Sequence, residues 1–269
     1  MNRQVPEKIA IVGNGKMAKH MIRYFELVSQ PYVQWFRPSN TFNASAQSNR
    51  SRLGLFKQKL NKILNHSNDS LAASITDVST VLLLIPDDQI EEFITKQPSL
   101  QGKNLVHFSG SLFTDKAAGC HPLMTFGEGL YDLPRYQSIP FVIDEHVEFN
   151  QLFPLFSNPV HAIKPEQKCM YHAMCVMAGN FAQLMWQATG KELHQMGLPA
   201  DLMSEYLQQN TANFIKDPAS SATGPLVRGD SNAIKKHQKA LINHPLGNLY
   251  QAFCDVYDNE IKTLKRSQV

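Results

Sequence analysis

His121, Lys168, His172 and Asn180 are the side chains in this sequence whose types and spacing best suit the movement of a proton to or from a small polar group. A histidine transfers protons near neutral pH because its ordinary pKa lies there, and an asparagine can hold an oxygen or nitrogen in place through its amide. Lys168 and His172 are four residues apart, and Asn180 follows His172 by eight, about 80° away around a regular helix. One broad helix face can therefore show all three to a cleft, where they would orient a carbonyl or imine and supply its proton. His121 stands in the run Cys120–Gly127, about a dozen residues beyond the apolar run Leu105–Phe108. Two structural alternatives stay open: His121 could fix a proline-containing loop, and His172 with Asn180 could be a buried polar pair that serves only the fold.

A second constellation lies near the N-terminus, where Gly13, Asn14, Gly15, Lys16, Met17 and Ala18 separate the apolar run Ile9–Val12 from Met17, Met21, Ile22 and Phe25 at helical spacing. This is a strand, a glycine turn and a helix. Gly13 would make the tight turn and Gly15 would let the backbone approach a pyrophosphate. Ala18 would let helix and strand pack closely, with the phosphate at the helix N-terminus. Tyr32–Phe36 alternates as a second strand does, and Arg37 and Ser39 stand at its end where an acid would hold the 2′-hydroxyl of NAD. Arginine there favours a 2′-phosphate, so the expected cofactor is NADP; a solvent-exposed arginine at a strand end is the alternative.

The elements that must position these groups fall into two kinds. Val81–Ile85 is wholly aliphatic, as a strand covered on both faces should be, and is stopped by Pro86-Asp87-Asp88, of which Asp87 could cap the next helix. Leu105–Phe108 is the next strand, with Ser109-Gly110-Ser111 as its turn, and Phe141–Ile143 and Val160–Ile163 are two more. Pro86 and Ser109 would line the ligand crevice, Ser109 at the nicotinamide end. Residues 40–73 are polar; Leu53, Phe56, Leu60 and Ile63 suggest a surface helix and a weak or missing third strand.

Beyond Pro165 the strands disappear, and helices are expected over 166–190, 199–216, 230–242 and about 246–264. The fold class is therefore α/β, a Rossmann-like parallel sheet domain (1–164) followed by an all-helical domain (165–269). Met170, Met174 and Met177 read as core filling, in the bundle or at a subunit contact. Thr223-Gly224-Pro225 and Arg228 form a rigid turn with Asp230 as a helix cap; Thr223, Gly224 and Arg228 are candidates for binding an anionic substrate group, or Arg228 for tying the loop to a carboxylate.

Composition narrows the classes. The chain has 269 residues, 43% of them hydrophobic, enough for one sizeable core and a smaller second one. No apolar run approaches a membrane span, and the N-terminus has no signal-peptide pattern, so a soluble cytoplasmic protein is expected. The net charge of +3 is scattered, apart from Lys235, Lys236 and the Lys262–Arg266 tail, and leaves no nucleic-acid footprint. Four cysteines form no C-x-x-C pair, which argues against a thiolate metal site and for reduced, packed thiols.

Three segments together carry a resemblance: GNGKMA at 13–18; HPLMTF at 121–126 with YHAMCVMAGN at 171–180; and TGPLVRGD at 223–230. They resemble predicted oxidoreductases that join a Rossmann-like NADP-binding domain to a helical domain designated DUF2520. That family is similar in architecture to pyrroline-5-carboxylate reductase, ketopantoate reductase and the 6-phosphogluconate dehydrogenase superfamily. The resemblance implies NADP as cofactor, a small-molecule substrate in an interdomain cleft, and a homodimer formed through the helical domain. It does not define the reaction; the roles given to His121, His172 and Asn180 come from the residues. The expectation is an NADP-dependent reductase or dehydrogenase acting on a small carbonyl, imine or hydroxy compound. The rival readings are a non-catalytic dinucleotide-binding or ligand-sensing protein and, more distantly, the same fold with a deazaflavin or a metal on His121 and His172.

Overall fold

The computed structural model describes residues 6–37, 70–199 and 201–261. Ser39, the expected surface helix at 53–63 and the Lys262–Arg266 tail lie outside them. In chain order the first part comprises β1 (Ile9–Val12), α1 (Lys16–Val28), β2 (Tyr32–Trp35), α2 (Leu71–Ser74), β3 (Thr80–Leu83), α3 (Asp87–Lys96), β4 (Asn104–His107), β5 (Ala118–Pro122), α4 (Leu133–Gln137), β6 (Phe141–Asp144), α5 (Phe149–Leu152) and β7 (Val160–Ile163).

These seven strands form one sheet in the order β2-β1-β3-β4-β5-β6-β7. From β2 to β5 every neighbouring pair is parallel; β6 runs antiparallel to β5, and β7 is parallel to β6. The architecture is a Rossmann-like α/β sheet followed by a helical region. The chain goes to one side of β1 for β2 and to the other for β3, so β1 and β3 flank the topological switch point, where such sheets open a crevice for ligands. Register aligns the strand ends: Val12 pairs with both Trp35 and Leu83, and Leu83 with His107. Gly13, Leu84 and Phe108 consequently leave the sheet at one edge.

The aliphatic runs are buried along their whole length in β1 and β3, as helices on both faces require. Alternate residues separate into two cores. Ile9, Ile11, Leu82 and Val106 pack with Ala18, Met21, Tyr24 and Phe25 of α1 and with the rings of Phe141, Phe149, Phe153 and Phe156, while Ala10, Val12, Val81 and Leu83 pack with Leu71, Ile75 and Ile90.

β5 is a strand that the sequence pattern does not announce, since Ala-Gly-Cys-His-Pro has little β propensity. The helix expected over 166–190 proves to be composite: a 3-10 turn at Pro165–Gln167, α6 (Lys168–Cys175), a π-helical turn at Val176–Phe181 and α7 (Ala182–Gln195). Wider π geometry turns later residues away from their regular-helix positions, so the 80° estimate for Asn180 does not hold. Met170, Met174 and Met177 are exposed, Met170 to 66%, rather than filling a core within the chain.

The chain divides into compact units at residues 1–184 and 185–269. The second contains α8 (Ser204–Lys216), α9 (Pro225–Arg228), α10 (Ser231–Ala240) and α11 (Gly247–Val256), with Asp230 capping α10 through the Ala233 amide at 3.0 Å. Among its described residues only Cys254 is a buried hydrophobic, whereas Tyr206 (65%), Phe214 (58%) and Ile215 (75%) are exposed. Among the described residues no helix is long and apolar enough to cross a membrane.

Candidate active site

The glycine turn is built for close approach. Gly13 has φ of +134°, and a β-carbon there would lie 2.2 Å from the Leu84 carbonyl oxygen, so neither its conformation nor its surroundings admit a side chain. Gln34 donates from Nε2 to the Gly13 carbonyl at 2.8 Å, and the Gly13 amide donates to Trp35 at 2.9 Å, which pins the turn to β2. Gly15 differs: a β-carbon there would meet nothing within 4 Å. It caps the 13-residue helix α1 without a side-chain hydrogen bond, and the first turn holds no acid. Amides at an open helix end over an empty approach are what a pyrophosphate requires. Asn14 and Lys16 are exposed beside it, Met17 is half-buried, and Ala18 is buried in the core against β1. Lys16 meets Glu128 at 3.2 Å in an exposed pair of little strength. Arg37 is exposed at the end of β2.

At the next two strand ends, the Ser109 hydroxyl donates to the Asp87 carboxylate and accepts from the Leu112 amide at 2.9 Å. Asp87 is the first residue of α3 rather than its cap, a position held by Pro86.

His121 and His172 come together here. Their rings stand edge to face with centroids 5.8 Å apart. Both rings stand against Gly110, where a β-carbon would lie 2.6 Å from Cδ2 of His172 and 3.2 Å from Nε2 of His121. On its other side, Nδ1 of His121 is hydrogen-bonded to the Tyr171 hydroxyl at 2.8 Å. Burial pushes His121 down to about 4, helped by the adjacent His172 and Lys168 and opposed by Asp87.

Lys168, expected to face a cleft, is buried and ion-paired with Asp144 at 2.5 Å. Asp144 also accepts from the Gly119 amide at 2.8 Å, and a β-carbon at Gly119 would stand 2.4 Å from the lysine nitrogen. The small residues of β5 thus make room for a buried charge pair. His107, fully buried on the neighbouring strand, is likewise held down to about 4 by burial and by Lys168. Its Nδ1 accepts from the Ser109 amide at 3.3 Å, and Nε2 has no partner among the described residues.

Asn180 is exposed on the π turn. In the second unit, Gly224 takes φ of +104° ahead of the short α9, and Thr223 and Arg228 are exposed. All four cysteines are free, but only Cys120 and Cys254 are buried. Among the described residues no group of three His, Cys, Asp or Glu is arranged to hold a metal. Tyr171, Asp144 and Gly110 are the members of the site that the sequence reading passed over. Tyr171 adjoins His172, and its four-residue spacing to Cys175 was the available signal.

Residues 145–256 match the family described as Domain of unknown function (DUF2520). The matched segment spans 112 of the 269 residues. It supplies Lys168, Tyr171 and His172, while His121, Asp144 and the glycine turn precede it. No curated protein sequence matches the chain. Solved structures similar to it include a Bacteroides fragilis protein proposed to be an NADP oxidoreductase, at 19% identity and a TM-score of 0.68, covering 93% of this chain and 97% of that one. A Plasmodium falciparum pyrroline carboxylate reductase with NADP bound has 13% identity and a TM-score of 0.54, covering 93% and 97%. An imine reductase from a Pseudomonas species has 14% identity and a TM-score of 0.57, covering 94% of each chain. At these identities the likeness is one of fold.

Proposed function

We propose that the chain is an NADP-dependent reductase or dehydrogenase of a small carbonyl, imine or hydroxy compound. One observation carries the reading: a paired-histidine site, His121 and His172 beside Gly110, formed on the sheet whose switch point holds an open glycine turn. The names of the similar folds, reductases among them, support it. In this reading the 13–18 turn holds the pyrophosphate, Arg37 and Ser39 the 2′-phosphate, and Pro86 and Ser109 the nicotinamide end. Bound NADP would supply or accept the hydride. His121 and His172 orient the reacting group and hold the proton that its oxygen or nitrogen gains or loses. Lys168 acts on His121 through its charge, and Asn180 is the candidate for holding the remainder of the substrate.

A homodimer is part of the same proposal. A helical unit that, among its described residues, buries one hydrophobic side chain while exposing Tyr206, Phe214 and Ile215 needs a second surface, and a second copy supplies one of matching character. Sedimentation should give twice the chain mass.

The deciding experiment is titration with NADPH and NADH without substrate. Tighter binding of NADPH, with the preference lost in Arg37→Asp, is expected; no binding of either would overturn the cofactor half of the proposal. Once a turned-over substrate is found, His172→Ala should lower turnover far more than cofactor affinity.

A further inference from the structure

Tyr171 is half-buried on α6 with its hydroxyl between two partners, Nδ1 of His121 at 2.8 Å and the thiol of Cys175 one turn along the helix. A phenol has one proton to give. An imidazole nitrogen accepts it well and a thiol sulfur poorly, so the proton goes to His121. Burial pushes the phenol above its ordinary pKa and keeps that proton on it.

The other face of the imidazole has the complementary geometry. Nε2 of His121, next to the bare Gly110, has no hydrogen-bond partner among the described residues and is not sealed from solvent as Nε2 of His107 is, so it is the ring nitrogen left to meet a ligand. A nitrogen that must be either donor or acceptor there is decided by what its ring partner does at Nδ1.

We propose that Tyr171 is a positioning residue that holds the His121 proton on Nε2, making His121 a neutral hydrogen-bond donor to the substrate's carbonyl oxygen or imine nitrogen. This inference rests on the reductase reading of the site and divides its two histidines. His121 polarises the acceptor atom and keeps its own proton, as a preorganised donor does. The proton that the heteroatom gains is then His172's to give, with solvent restoring it. The charged and titratable groups facing His121 agree with a ring that stays neutral: His172 and Lys168 from α6 both disfavour a charge on it, Asp87 from α3 favours one, and burial outweighs that contribution.

The test is two-bond proton–nitrogen NMR of histidine-labelled protein at pH 7.5, with the His121 signals assigned by their loss in His121→Gln. The wild-type ring should be protonated at Nε2 alone, and Tyr171→Phe should give a mixture of the two tautomers. A wild-type ring protonated at Nδ1, or a Tyr171→Phe ring with an unchanged tautomer, would overturn the proposal. The wild-type spectrum decides the direction of the bond even if the variant does not fold. Because the spectra need no cofactor, they stand apart from the NADPH titration: failure to bind dinucleotide would remove the reductase reading and leave the tautomer result intact. With a substrate in hand, Tyr171→Phe should lower kcat at least tenfold with NADPH affinity changed less than twofold.

Discussion

The imidazoles of His121 and His172 meet beside the bare backbone of Gly110, 5.8 Å apart at their centroids, although they lie 51 positions apart in the chain. Gly110 makes this possible by having no side chain, and it does so without a positive φ. Gly110→Ala should therefore leave the backbone relaxed while forcing the rings apart. Overpacking of this kind costs roughly 1 to 3 kcal/mol. Calorimetry should show a correspondingly lower Tm, NMR should show both rings displaced, and NADPH affinity should hold; unchanged histidine signals would mean that the rings already have room.

The two glycines of the N-terminal turn should respond to alanine in opposite ways. Gly13→Ala meets both an unfavourable φ and the Leu84 carbonyl, and its main effect should be on folding, with a large fall in Tm or in soluble yield. Gly15→Ala meets nothing among the described residues, so its Tm should stay within a degree or two of wild type. Its β-carbon would stand where a pyrophosphate must come close, and NADPH affinity should fall at least tenfold. Equal affinity in Gly15→Ala and wild type would show that no phosphate passes there.

Much of the sheet was legible because a parallel strand covered on both faces has to be apolar throughout, and Ile9–Val12 and Val81–Leu83 state that directly. Gly13 was legible for a similar reason, since a strand leading through a glycine turn to a helix has few meanings. β5 was not. Its residues answer to the Lys168–Asp144 pair that crosses Gly119 and not to strand propensity, and a buried ion pair between residues 24 apart leaves no periodic trace. His121 could be singled out by chemistry, yet its neighbours Gly110 and Tyr171 could not, because their roles depend on which strand ends the topology places side by side. Asn180 was misplaced by assuming a regular helix through the π turn.

Acid should loosen the fold before carboxylates titrate in bulk. His107 and His121 are held down to about 4 in the folded chain, while the unfolded chain takes up their protons near the ordinary value of about 6.5. Between these limits the unfolded state binds more protons, so stability is complete above about 6.5, falls as the pH is lowered toward 4, and levels off below. Denaturant midpoints measured from pH 7.5 to 4.5 should decline through that window. In His107→Gln the decline should be shallower; a slope identical to wild type would mean that His107 is not held neutral.

Lys168 and Asp144 should behave as a pair whose breaking is worse than its removal. Lys168→Met leaves an uncompensated carboxylate at a site with no solvent exposure, for which a loss of about 3 to 5 kcal/mol is the ordinary scale. Lys168→Met/Asp144→Asn keeps an acceptor for the Gly119 amide and buries no charge, so it should recover much of that loss. The same variants probe the histidine site. Lys168 is one of the two neighbours that push His121 down, and Asp144 is not among the groups that raise it, so both variants should move the His121 titration up from about 4 by a similar amount. If NMR titration finds it unmoved in the stable double variant, burial alone sets the state of His121 and the buried pair serves only the fold.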